Sequence, residues 1–268
     1  MFKKNYDSMR MEPTPERVLA VCRLASQCQI SRDQMKEYLT LGQMGDKEVD
    51  TVNRSLAVAL DELHLLQEKN DVISYVGPVD ALKSGKAFRQ CAASVIFGAK
   101  DSTFVLFSKW VINKNEELFA LGNWETIAAT CSKNESELAR IDENAVLGWR
   151  FWAAFLGLGY LSGTMFLPNM KVRLQDLLET SFPQKFQYDE AIRAEEFIPW
   201  LSSKMPEVDF DNIRILPLAL SSALRTLHEL ELIKLETRQD SKRVYLHYVD
   251  GEMLNDFSLI TVRKGVCE

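Results

Sequence analysis

Leu60-Asp61-Glu62-Leu63-His64-Leu65-Leu66 and Leu227-His228-Glu229-Leu230-Glu231-Leu232-Ile233 are two copies of one pattern, Leu-x-Glu-Leu-x-Leu-(Leu or Ile), lying near opposite ends of a 268-residue chain. Leucines three apart share one face of a helix, so they dock that helix on a core. The apolar pair that follows starts a β-rich run. One leucine-rich helix end is commonplace; two, each running into a strand at the same offset, predict a repeated structural unit.

Upstream of the first copy, Thr14-Pro15-Glu16 opens a helix, with a hydroxyl cap and proline at the first helical position. Val18, Leu19, Cys22 and Ala25 form its apolar face. Ser31 and Gln34 have capping-box spacing and begin a short helix with Met35, Tyr38 and Leu39 as its buried positions. After the glycines 42 and 45, a third helix runs from about Val49 to Glu68, with Val52, Leu56, Ala59, Leu60 and Leu63 on one side. Val72 to Val76 is a strand stopped by Gly77-Pro78. Upstream of the second copy, Glu196 to Lys204 reads as a short helix and Phe210 to Ile215 as an apolar connection. Pro217 opens a helix with Leu220, Ala223, Leu224, Leu227 and Leu230 inward. Leu232 to Glu236, a polar turn over Thr237 to Ser241, and Arg243 to Val249 then predict a hairpin.

Three helices followed by a strand pair resemble the winged variant of the helix-turn-helix. The expected fold is mainly α, with two winged-helix domains flanking an aromatic-rich helical middle region: residues 1–80, 81–185 and 186–268. The middle carries apolar segments at Phe88 to Phe97, Phe104 to Val111, Leu118 to Ala129, Ala145 to Leu161 and Val172 to Leu178. Its rings are expected in a core. Trp110, Trp149, Trp152 and Phe155 are the candidates for a partner-binding surface, since interfaces are enriched in aromatics.

Hydrophobic residues make up 46% and charged residues 26% of the chain, which places it among globular proteins. The net charge of −6 is unlike that of a protein that grips nucleic acid over its whole surface, so any such contact is local or shared with a partner subunit. Five widely spaced cysteines with no C-x-x-C pair speak against a disulfide framework or a zinc site. The first residues contain no apolar targeting core, and a cytoplasmic protein is expected. Val146 to Leu167 is long enough to span a bilayer, but it contains Arg150 and four glycines, so a buried helix and a glycine-rich turn are expected instead.

No catalytic constellation emerges. Ser84-Gly85-Lys86-Ala87 lacks the upstream glycine and the following hydroxyl of a P-loop. Gly157-Leu158-Gly159 with Gly163 misplaces the third glycine of a dinucleotide loop. The histidines, His64, His228 and His247, show no metal spacing, and Glu-x-Lys occurs nowhere. Neither a metal nor another cofactor is expected.

Residues near the start of a third helix meet base edges and phosphates in helix-turn-helix proteins. Those positions hold Thr51, Asn53, Arg54 and Ser55 in the first unit, and Ser221, Ser222, Arg225 and Thr226 in the second. The second wing adds Lys234, Arg238, Lys242 and Arg243 against Glu236 and Asp240, a candidate phosphate clamp on double-stranded DNA. The first wing has little charge besides Asp71 and suits protein contact better.

The layout, with Gly148-Trp149-Arg150-Phe151-Trp152, Phe155 to Gly159 and Phe166-Leu167-Pro168 between the two units, is similar to accessory proteins of bacterial phage-defence islands. Among these is the winged-helix component of deazaguanine DNA-modification clusters. It also resembles the acidic tandem winged-helix subunits that bind kleisins in SMC-type ATPase complexes. The resemblance implies a non-catalytic, DNA-associated or scaffolding subunit working beside an SMC-like ATPase, helicase or nuclease. A stand-alone winged-helix transcriptional regulator is the alternative, and an enzyme with an unrecognised site ranks last.

Overall fold

Ser31 shows how closely local chemistry sets the helix starts. Its side chain accepts from the Gln34 amide at 3.2 Å while its own amide donates to Gln34 Oε1 at 3.0 Å, closing the expected capping box. The computed structural model describes residues 1–3, 9–163, 165–210 and 215–267, with the backbone alone at Cys267. The expected connection from Phe210 to Ile215 therefore lies, apart from its two ends, outside the described residues. Helices dominate, eleven α-helices and several small sheets being present among the described residues, and the protein is mainly α.

The chain divides into two compact units, one of residues 1–105 and 124–155, the other of residues 106–123 and 156–268. The expected middle block, 81–185, is thus shared between them. The first unit begins with α1 (Pro15–Gln27), β1 (Ile30–Ser31), α2 (Arg32–Leu39) and α3 (Asp46–Ala57). A π turn, Val58–Glu62, carries α3 into β2 (Leu66–Lys69), and β3 (Val72–Tyr75) returns. Asn70 and Asp71, at φ 50° and 60°, make the tight turn between these strands. The sheet order is β1-β3-β2, all antiparallel.

α4 (Gly85–Ile96) follows, and α5 (Thr103–Asn113) passes from the first unit into the second. α6 (Glu117–Ala120) belongs to the second unit, and α7 (Trp124–Asn134) and α8 (Glu143–Phe155) to the first. The core of the first unit gathers Phe2, Phe104, Trp149 and Trp152, with Phe2 edge-on to both Phe104 and Trp152. Trp152 satisfies its buried indole N–H on the Pro13 carbonyl at 2.6 Å. A Cβ at Gly148 would meet the Arg10 backbone at 2.5 Å, so α8 can pack there only through a glycine.

In the second unit, Gly157 turns the chain at φ 79° into the hairpin of β4 (Gly159–Ser162) and β5 (Met165–Pro168). The stretch tested for membrane length is therefore a 13-residue helix and a hairpin, and among the described residues no helix is long and apolar enough to cross a membrane. Then come α9 (Lys171–Thr180), β6 (Ala191–Arg193), α10 (Ala194–Lys204), α11 (Leu218–Glu229) and β7 (Ile233–Glu236). The strand that returns against β7 is not Arg243 to Val249, as expected, but β10 (Leu259–Val262). Between them the chain makes an excursion containing β8 (Val244–Tyr245) and β9 (Asp256–Phe257), which pair with each other. The alternation of Val244, Leu246 and Tyr248 is real, but Leu259 to Val262, buried at every position, outcompetes it for the central place in the sheet.

The two copies of the opening motif match from their left-handed residue onward, in the strands that follow. The second sheet has the order β6-β10-β7, the connectivity of β1-β3-β2. Leu66 pairs with Tyr75 and Ile233 with Val262; Ile30 pairs with Ile73 and Ile192 with Ile260. The Leu65 carbonyl accepts from the Val76 amide and the Leu232 carbonyl from the Arg263 amide, both at 2.9 Å. His64 and Glu231 occupy the same motif position with φ 53° and 58°. The copies differ by one residue. The Leu232 amide reaches back to the Leu227 carbonyl, whereas the Leu65 amide reaches Ala59, past the extra residue of the π turn. Consequently Ala59 takes the core position of Leu227, Leu63 is buried, and Leu230, expected inside, is 54% exposed. Tyr38, also expected inside, is 64% exposed, because the 8-residue α2 rests on Met35 alone.

A buried ion pair ties α9 to the segment after α10. Arg173 donates from Nε to Glu207 Oε1 at 2.7 Å and from a terminal nitrogen to the Lys204 carbonyl at 2.9 Å. Burial pushes the Glu207 carboxyl above the usual carboxylate range, with Arg173 pulling the other way. Arg173→Met should destabilise the protein by about 3–5 kcal/mol at neutral pH, because it leaves a buried charge uncompensated. The folded-state pKa would then lie further above the unfolded one, so stability should fall as pH rises through that window, by at most about 1.4 kcal/mol per unit. Urea unfolding at pH 5 and pH 8 checks this; equal losses at both pH values would contradict it.

Candidate functional site

The residues expected to read DNA fall into two groups once placed. Ser221 and Arg225 lie on the buried side of α11, at 0% and 4% exposure. Ser221 Oγ donates to the Leu216 carbonyl at 3.0 Å and accepts from the His247 amide at 2.8 Å. Arg225 donates from Nε to the Leu254 carbonyl at 3.0 Å and from a terminal nitrogen to the His247 carbonyl at 2.8 Å. Both side chains are therefore internal fasteners that hold the excursion between β7 and β10 onto α11. Neither is available to a ligand. Ser222 and Thr226 remain half-buried.

α11 is covered at its start as well. Asn115 Oδ1 accepts from the Leu218 amide at 2.8 Å, capping the helix from outside its own sequence. His247 and Glu116 are joined at 2.7 Å, which holds the excursion against the segment before α6. Of the four α11 residues that the sequence suggested, only Ser222 and Thr226 keep part of their surface.

The exposed cations of the second group gather at the foot of the excursion. Lys234 projects from β7 and pairs with Glu236 at 2.9 Å. The Glu236 carboxyl is held below its ordinary value, first by the hydrogen bond from Lys234 and further by the charges of Lys234, Arg238 and Arg263. Arg263 is itself paired with Asp189 at 3.6 Å, so three cations and two carboxylates share this exposed part of the sheet. Arg263 was missed from the sequence because the reading of the hairpin stopped at Val249. The signal that could have found it is the unbroken apolar run Leu259 to Val262, a central-strand pattern with Arg263 at its end.

Farther out, Arg243 pairs with Asp256 at 3.4 Å and Lys242 is exposed. The excursion, residues 237–258, carries Arg238, Lys242 and Arg243 against Asp240, Asp250, Glu252 and Asp256. Its tip has no basic excess, so the positive character sits at the foot. In the first unit, Arg54 is engaged by Asp50 at 2.6 Å and Asn53 is half-buried. Asp46, Lys47 and Glu48 are exposed at the start of α3, so both charges are present there.

The aromatic candidates for partner contact belong to the interior. Trp149 and Trp152 are 1% and 0% exposed. Trp110 is buried and stacked on Phe107. Phe155 is half-buried against Phe88 and Trp152. Rings packed in this way fill a core and offer nothing to a partner without local unfolding. Among the described residues no three His, Cys, Asp or Glu side chains converge to hold a metal ion. Burial pushes the Cys22 thiol up to about 12, which leaves it a poor nucleophile.

No family model, curated protein or solved structure matches the chain.

Arg225→Ala should free the excursion without unfolding α11. It leaves the carbonyls of His247 and Leu254 without their donor, at about 1–3 kcal/mol each. Hydrogen exchange at residues 244–257 should accelerate while β10 stays protected. Unchanged exchange there would refute the fastening role.

Proposed function

We propose that each unit contains a winged helix, and that the chain is a non-catalytic, DNA-associated scaffolding subunit of a larger assembly. The repeated connectivity supports the fold reading. A helix, a short strand, two helices, a strand and a returning strand that inserts centrally occur twice, with matching strand register. On this reading the β7–β10 excursion is an enlarged wing.

The single observation that carries the DNA contact is the group of exposed cations at the foot of that wing, Lys234 beside Glu236 and Arg263 beside Asp189, with Arg238 shortly after β7 in the chain. Cations on a wing beside a covered third helix suit contact with phosphates rather than bases, so sequence preference would be weak. Arg54 on α3 of the first unit is engaged by Asp50, which leaves that winged helix for protein contact. The partners that fit such a subunit are an ATPase, helicase or nuclease of a bacterial defence complex, which would supply the chemistry.

Anisotropy with duplex DNA tests the contact. Lys234→Glu, Arg238→Glu and Arg263→Glu should each weaken binding equally on unrelated sequences. Together they should flatten the dependence of log K on log salt by about 0.9 for each phosphate that is no longer neutralised. Glu236→Gln removes the anion beside Lys234 and should tighten binding. Weakening confined to one DNA sequence would favour a transcriptional regulator, and full affinity in the triple variant would refute the clamp.

A further inference from the structure

The turn between α2 and α3 contradicts what folding alone would select. Leu41 is 89% exposed and sits at φ 54°, a conformation that costs an ordinary residue about 1 kcal/mol. Gly42 beside it, at φ 78°, shows that the turn could have used the permissive residue at both places. Tyr38 and Met44, at 64% and 51%, extend the exposed apolar surface on either side of Leu41. Met44 Sδ accepts from the Thr40 hydroxyl at 3.7 Å, while its carbon chain stays exposed.

Leu41 forms one wall of a cavity of about 380 Å³ between α1 and α3. Val21, Leu39 and Val52 line its floor, and Arg17 and Lys47 stand on it as cations. The one carboxylate on the lining, Glu48, lies over Gly45 at the start of α3 and is turned to that helix end. Thr40, Thr51 and Ser55 line it too, so the groove is mostly but not wholly apolar, with two cations against one carboxylate at its edge.

We propose that this groove receives an amphipathic helix of a partner protein, apolar on the inserted face and acidic beside it. Apolar grooves accept a helix through residues at i, i+3 or i+4, and i+7, and the flanking carboxylates would meet Arg17 and Lys47. The proposal rests on reading the first unit as the one that holds a partner, and it is independent of the DNA contact.

A display library of helical peptides tests it, with leucines at those spacings and flanks randomised between Asp or Glu and Lys or Arg. The bait is the full chain, with its Leu41→Asp variant in parallel; aspartate tolerates the left-handed backbone, so the fold should persist. Leu41→Gly removes the side chain with no conformational demand and serves as the second variant. Acidic-flanked peptides should be enriched. Their affinity should drop about tenfold or more in both variants, as expected for loss of a central apolar anchor. Lys47→Glu should reverse the preference toward basic flanks. DNA affinity should stay at the native level in all three, so that failure of the groove and failure of the wing clamp are told apart. Enrichment of basic flanks, or no enrichment over the Leu41→Asp bait, overturns the proposal. So does a dimer of the native chain that Leu41→Asp dissolves, which would make a second copy the occupant.

Discussion

Each repeated half is organised by the way its third helix becomes a strand. A helix leaves its last carbonyls unsatisfied, and the chain must reverse direction within two residues to place the next apolar pair in the sheet. A left-handed residue achieves this, and here it is His64 in one copy and Glu231 in the other. Once that residue is set, the following leucine presents its carbonyl to the returning strand, and the register of the whole sheet follows. The buried isoleucine pairs, Ile30 with Ile73 and Ile192 with Ile260, lie where this register puts them.

The same constraint explains the divergence between the copies. The π turn before His64 inserts one residue, so Leu63 points inward; beyond it the strand pair of the first unit closes with a two-residue turn at Asn70 and Asp71. In the second unit no insertion occurs, and the strand pair is instead opened by the long excursion of residues 237–258. That excursion has its own small hairpin and needs its own attachment. Ser221 and Arg225, polar and buried on α11, provide it. One frame therefore supports a closed unit with an apolar groove and an open unit with a long excursion between its strands.

Much of this was legible in the sequence. The motif repeat, the capping box at Ser31, the helix opening at Pro15 and the apolar segments of the middle region all rest on local spacing, and local spacing determines them. What was not legible depended on competition between distant segments. Arg243 to Val249 alternates as a strand should, but only the fold reveals that Leu259 to Val262 takes the central place. Ser221 and Arg225 look like surface polar residues because a buried helical face wider than its leucines cannot be inferred from the helix alone. Trp149 and Trp152 match an interface composition and a core composition equally well, and packing decides between them.

The junction is tested most directly by hydrogen exchange at the Val76 and Arg263 amides, the two that bond to Leu65 and Leu232. Both should be protected in the native chain. A glycine at position 64 or 231 should preserve that protection or raise it by up to about 1 kcal/mol, since the left-handed strain is removed. A valine at the same position should lower protection by about 1–2 kcal/mol, and only in its own unit. Free exchange of either amide in the native chain, or tolerance of valine at either site, would contradict the account.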